Sequence, residues 1–122
     1  MLLVIDVGNT NITMGTFRHG HLNATWRIHT NPHSLHDEYG LLVRSLLAAK
    51  QIDPNEVNGA ALCSVVPSLT GVFEEMCSKY LDVVPLVVES GTRTGVRILY
   101  ENPRDVGADR VVDAAAAFQL YG

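Results

Sequence analysis

The spacing of apolar residues changes once along this chain, near residue 34, and that change restricts the fold more than any other feature. Before it, apolar residues run together briefly or recur every second position. After it, they recur every three to four. Leu2–Val7 is a run rich in Val and Ile that ends in Asp6-Val7-Gly8-Asn9-Thr10, which predicts a buried strand and a tight turn. Ile12, Met14 and Thr16 alternate with Thr13, Gly15 and Phe17, as a second strand would. Arg18-His19-Gly20-His21 makes the next turn, and Leu22–His29, with Ala24, Trp26 and Ile28 on one face, is a third strand. Turns this short join antiparallel neighbours.

Beyond the change, Ser34 followed three residues on by Asp37 resembles a capping box, with Asp in place of Glu or Gln. Tyr39, Leu42, Val43, Leu46 and Leu47 then follow at helical spacing. Gly40 inside that pattern costs about 1 kcal/mol relative to Ala, so packing must hold the helix. Asp53-Pro54 ends the segment, and Gly59–Val66 reads as a buried strand. Ser68 opens a second helix with Leu69, Val72, Phe73, Met76 and Tyr80 inward. Val83–Val88 and Val96–Tyr100 are further extended pieces, and Asp105–Tyr121 is a strong helix with Ala114 to Ala117 at its middle. The order β-β-β-α-β-α-β-β-α predicts an α/β fold, a mixed sheet flanked by helices.

Composition excludes several function classes. With 122 residues, 47% of them hydrophobic, the chain has the size and apolar content of one folded domain. Net charge is −4, and its 9 Lys and Arg are scattered, which argues against a nucleic-acid partner that would need a basic patch. Cys63 and Cys77 lack CxxC spacing and read as buried reduced thiols. Asp6 interrupts the apolar start before it could serve as a signal peptide, and no stretch reaches membrane-spanning length. A soluble, cytoplasmic protein is expected.

Two segments carry chemistry. Asp6, Val7, Gly8, Asn9, Thr10, Asn11, Ile12 and Thr13 place a carboxylate at a strand end, then a Gly that lets an anion approach backbone N–H groups, then neutral donors for phosphate oxygens. Asp6 suits Mg²⁺, directly or through water, because hard cations prefer oxygen. A plain β-hairpin with polar turn residues fits the same segment. In the second, Tyr100 to Arg110 run from a strand end into the last helix, where Gly107 and Ala108 leave the helix start open to an anion. Arg110 offers a fork for a carboxylate or phosphate, and its neighbour Asp109 can act as a base. Helix-dipole complementation by Asp109, with Arg110 as a surface partner, is the competing account. Asp113, one turn on, reads as a structural polar residue. His19, His21, His29, His33 and His36 lie in turn-rich sequence around Pro32 and read as a solvated region more readily than a metal site.

In combination, DVGNTNIT at Asp6–Thr13, Asp37-Glu38-Tyr39, TRTGVRILY ending at Tyr100, NPRDVGADR ending at Arg110 and VVDAAAAFQLYG after it resemble type III pantothenate kinases, in the expected order along the chain. That family lies in the actin-like ATPase, or acetate-and-sugar-kinase, superfamily, so the resemblance implies an actin-like (ribonuclease H-like) domain. It implies that Asp6–Thr13 bind ATP phosphates with Mg²⁺ at Asp6, that Tyr100 and Gly107, Ala108, Asp109 and Arg110 bind pantothenate, and that Asp109 is the proton acceptor. A homodimer and a monovalent cation, K⁺ or NH₄⁺, are implied as well. The family also has a second domain with another phosphate motif, the cation site and the adenosine pocket. Residues 1–122 are therefore expected to be the first, N-terminal domain, inactive without the second. Another small-molecule kinase or phosphatase of the superfold, or a non-catalytic nucleotide-binding regulator, stays open.

Overall fold

A computed structural model describes residues 1–88. The Val96–Tyr100 strand and the Asp105–Tyr121 helix expected from the sequence lie outside the described residues.

Strand β1 (Leu2–Val7) is central. It pairs antiparallel with β2 (Asn11–Arg18), which pairs antiparallel with β3 (His21–His29). The β2–β3 turn holds His19 at φ 54° and Gly20 at φ 78°, the double left-handed turn that matches strand twist and favours Gly. On its other side β1 pairs in parallel with β4 (Gly59–Ser64), and β4 with β5 (Leu86–Val87), so the sheet order is β3-β2-β1-β4-β5.

Helices α1 (His36–Ala49) and α2 (Pro67–Leu81) cover one face of the sheet. Period-2 side chains Leu3, Ile5 and Val7 of β1, Ile12 and Met14 of β2 and Leu62 of β4 meet Tyr39, Val43 and Leu47 of α1 and Leu69, Phe73 and Met76 of α2. All are buried, and the Tyr39 and Phe73 rings lie 4.6 Å apart between centroids. On the other face Val4 and Ala61 are buried, with Leu2 and Phe17 packed against them.

Several boundaries differ from the sequence reading. The β4 strand ends at Ser64, whose hydroxyl donates to the Val66 carbonyl at 3.0 Å and accepts from the Val66 amide, turning the chain into α2 with Pro67 at its first position. Only Leu86 and Val87 of the Val83–Val88 segment form the strand, opposite Ala61 and Leu62 of β4, and the Val88 amide donates to the Leu62 carbonyl at 2.7 Å. The α1 cap lies one residue later than Ser34. Leu35 is the cap residue, and its amide donates to Glu38 Oε1 at 2.9 Å. That leaves Asp37 to accept from Lys79 Nζ at 2.8 Å and the Tyr80 hydroxyl at 2.7 Å, which ties α1 to α2. Gly40 gains its reason here: a Cβ at this position would stand 2.2 Å from Tyr80 Cδ2, so only glycine lets the ring lie on α1.

Candidate functional site

The Asp6 carboxylate emerges from β1, level with Thr13 of β2 and Cys63 of β4, at the end of the sheet where the parallel strands β1 and β4 finish. Asp6 is only 3% exposed. In open α/β sheets, ligands bind beyond the C-terminal ends of the strands, and the β1–β2 hairpin closes here. Its turn runs from Gly8 to Asn11, with the Gly8 amide donating to the Asn11 carbonyl at 2.9 Å. A Cβ on Gly8 would sit 2.9 Å from that same oxygen, so the tightness of the turn requires glycine. Asn9, Thr10 and Asn11 are exposed at the tip, where amide and hydroxyl groups can meet an anion. Val7 and Ile12 face the helix layer and are fully buried, so their side chains anchor the hairpin and only their backbone can reach a ligand.

A relay from α1 fixes the turn. Thr30, 3% exposed, donates its hydroxyl to the Gly8 carbonyl at 2.8 Å and its amide to the Thr10 carbonyl at 2.9 Å. The next residue, Asn31, exchanges two bonds with the Tyr39 hydroxyl, which donates to its carbonyl at 2.7 Å and accepts from its amide at 3.0 Å. Sequence reasoning missed Thr30, which has no motif around it. Asp37-Glu38-Tyr39, which stands out as a motif, is structural: Asp37 clamps α2, Glu38 caps α1 and Tyr39 holds the loop behind the hairpin.

Asp37 is held below its ordinary carboxylate value by the Lys79 hydrogen bond first and the Tyr80 hydroxyl second. Burial pushes the Cys77 thiol up to about 12, which keeps it protonated and inert; Cys63 is half-buried.

The polar side chains of the Asp6–Thr13 segment are the Asp6 carboxylate, the Thr10 and Thr13 hydroxyls and the Asn9 and Asn11 amides. That set suits Mg²⁺, which needs only one or two carboxylates besides water and phosphate. Among the described residues no three His, Cys, Asp or Glu side chains converge on a metal position. His36 instead lies between Asp37, at 3.4 Å, and Glu75, at 3.2 Å. No helix among the described residues is long and apolar enough to cross a membrane. Tyr100, Gly107, Ala108, Asp109, Arg110 and Asp113 lie outside the described residues.

A five-stranded mixed sheet with two helices on one face, and a glycine hairpin at the end of its central strand, is the architecture of the actin-like ATPase fold. Solved structures agree. A putative N-acetylglucosamine kinase from Porphyromonas gingivalis matches with a TM-score of 0.54 at 18% identity over 71% of this chain and 34% of its own. Ethanolamine utilization protein EutJ from Carboxydothermus hydrogenoformans matches at 0.50 and 18% identity over 95% of this chain and 48% of its own. RuvC of T. thermophilus, solved with a Holliday junction substrate, matches at 0.62 and 15% identity, covering 99% and 94%. This chain therefore spans about a third of the sugar-kinase chain and about half of EutJ. At these identities the likeness is one of fold. Residues 2–122 match type III pantothenate kinase, and the chain belongs to that family of kinases.

Proposed function

We propose that the chain is the first domain of a type III pantothenate kinase, which transfers the γ-phosphoryl group of ATP to the primary hydroxyl of pantothenate and so begins coenzyme A synthesis. The observation that carries this reading is the family match over residues 2–122, joined to a glycine hairpin braced beside a buried Asp6. Phosphoryl transfer asks mainly for alignment and charge neutralisation. The hairpin amides and the Asn9, Thr10, Asn11 and Thr13 side chains align phosphate oxygens, and Asp6 would hold Mg²⁺, which would screen phosphate charge. Asp109 accepts the pantothenate hydroxyl proton as that oxygen bonds to the γ-phosphorus and ADP leaves. Tyr100, Gly107, Ala108 and Arg110 hold pantothenate, with the Arg110 fork on its carboxylate.

A second domain closes the cleft over the adenosine and supplies the K⁺ or NH₄⁺ site. The enzyme works in the cytoplasm as a homodimer. Nucleic acid is no partner in this reading, in keeping with the net charge of −4.

The test is a contrast in the full-length enzyme. Asp109→Asn should keep pantothenate binding and lower turnover about 10²- to 10⁴-fold, the usual range for a lost general base. Arg110→Ala should weaken pantothenate binding instead. Full activity of Asp109→Asn, or loss of stability alone in both variants, would assign the pair to helix-dipole and surface roles.

A further inference from the structure

The strand register puts a third functional side chain in line with Asp6. Asp6 pairs with Thr13, and Thr13 with Arg27, so all three project from the sheet face opposite the helices, one row behind the Val7–Ile12 pair that closes the hairpin. Two strand spacings, about 10 Å, separate the Arg27 and Asp6 backbones, and Thr13 lies between them. Thr25, two residues earlier on the face of Arg27, joins Thr13, Trp26 and Arg27 in lining a recess of about 260 Å³. Pockets for whole small molecules run to about 300–1,000 Å³, so this recess suits a single group with two hydroxyls and a guanidinium around it.

Charge makes the recess specific. Arg18 is paired with Glu56, and Lys79 with Asp37. Arg44 and Lys50 belong to the helix-covered side, on α1 and at its C-terminal cap. Among the described residues Arg27 is the one Arg or Lys on the Asp6 face, and its exposed guanidinium has no ion-pair or hydrogen-bond partner there. Nucleoside triphosphate brings several negative charges to a hairpin whose tip offers only neutral donors and whose neighbour, Asp6, is a carboxylate. A planar guanidinium supplies two parallel N–H donors to phosphate oxygens together with a positive charge from the protein itself.

We propose that Arg27, with the Thr13 and Thr25 hydroxyls, forms an oxyanion subsite that takes a phosphate group of the nucleoside triphosphate. The inference rests on the reading of Gly8–Asn11 as the phosphate hairpin, and it adds a cationic side chain, which this hairpin lacks. Arg27 stands far enough from the strand end to reach phosphate oxygens from the side while the hairpin amides hold them from the turn.

Steady-state kinetics of the full-length enzyme, with ATP and pantothenate varied separately, test it in Arg27→Gln, Arg27→Lys and Asp6→Asn. A charge-assisted hydrogen bond is worth about 10- to 100-fold in affinity, so Arg27→Gln should raise the KM for ATP by that factor. The KM for pantothenate and the melting temperature should stay unchanged. Arg27→Lys should recover part of the loss, because it keeps the charge without the fork. A wild-type ATP KM in Arg27→Gln beside a failing Asp6→Asn would overturn the Arg27 subsite and leave the hairpin reading intact. Wild-type ATP use in both would overturn both. A rise confined to the pantothenate KM would give the guanidinium to the acceptor and overturn the proposal.

Discussion

Replacing Gly40 by alanine should destabilise the protein, although helix propensity alone argues the reverse. Alanine in a helix interior is favoured over glycine by about 1 kcal/mol. Against this, the new Cβ would stand 2.2, 2.5 and 2.6 Å from Tyr80 Cδ2, Cε2 and Cγ, where carbon contacts need about 3.5–4.0 Å. The ring must withdraw by more than an ångström, roughly, to restore that spacing. Its hydroxyl is tied to Asp37 Oδ1 at 2.7 Å, so withdrawal strains or breaks that bond. Overpacking costs about 1–3 kcal/mol, and a contact this short stands at the upper end of that range; strain on the Tyr80 hydroxyl adds to it. The net loss is about 2 kcal/mol, or roughly 8 °C in melting temperature for a domain of this size. Thermal melts of four proteins decide the matter: wild type, Gly40→Ala, Tyr80→Ala and the double variant. Without the Tyr80 ring, Gly40→Ala should turn stabilising by about 1 kcal/mol, a sign reversal that isolates the contact. A Gly40→Ala protein as stable as wild type in the Tyr80 background would show that the ring does not press on this position.

Two further outcomes follow from the same geometry. Gly8→Ala must displace the Asn11 carbonyl and with it the hairpin amides, so turnover with ATP in the full-length enzyme should fall by up to about 100-fold, as for other small misplacements in a catalytic site; pantothenate binding should be unaffected, and steady-state kinetics of the variant check both. Asp37 binds its proton less readily folded than its ordinary 3.8, through Lys79 and then Tyr80, so its stabilising effect is present above that value and disappears as pH falls below it. Urea melts from pH 5 to pH 2 should therefore show a shallower acid loss in Asp37→Asn than in wild type, and parallel curves would remove Asp37 from the account.

The meander was legible because alternation is local: Trp26 and Ile28 pack against the core as the period-2 pattern of β3 requires. The inner face of α2 was legible for the same reason, through Leu69, Phe73 and Met76. Contacts between distant segments were not. Thr30 looks like any residue leaving a strand until the fold carries it under the Gly8 carbonyl, 22 residues away. Gly40 reads as a helix defect until Tyr80, on another helix, is laid against it. The α1 cap went one residue astray because Asp37 and Glu38 are both acidic, and only the pull of Lys79 and Tyr80 on Asp37 decides between them. Of the candidate site, Asp6 and the Gly8 turn could be read from residue types. Arg27 could not, since its place beside them depends on the register of two antiparallel pairs.

Pantothenate kinase activity is decided when the full-length enzyme is incubated with ATP, Mg²⁺ and a monovalent cation, with and without pantothenate, and the products are weighed by mass spectrometry. ADP and 4'-phosphopantothenate should appear in equal amounts, with little ADP without pantothenate and neither product from residues 1–122 alone. ADP release indifferent to pantothenate, or phosphate appearing on another alcohol in its place, would contradict it.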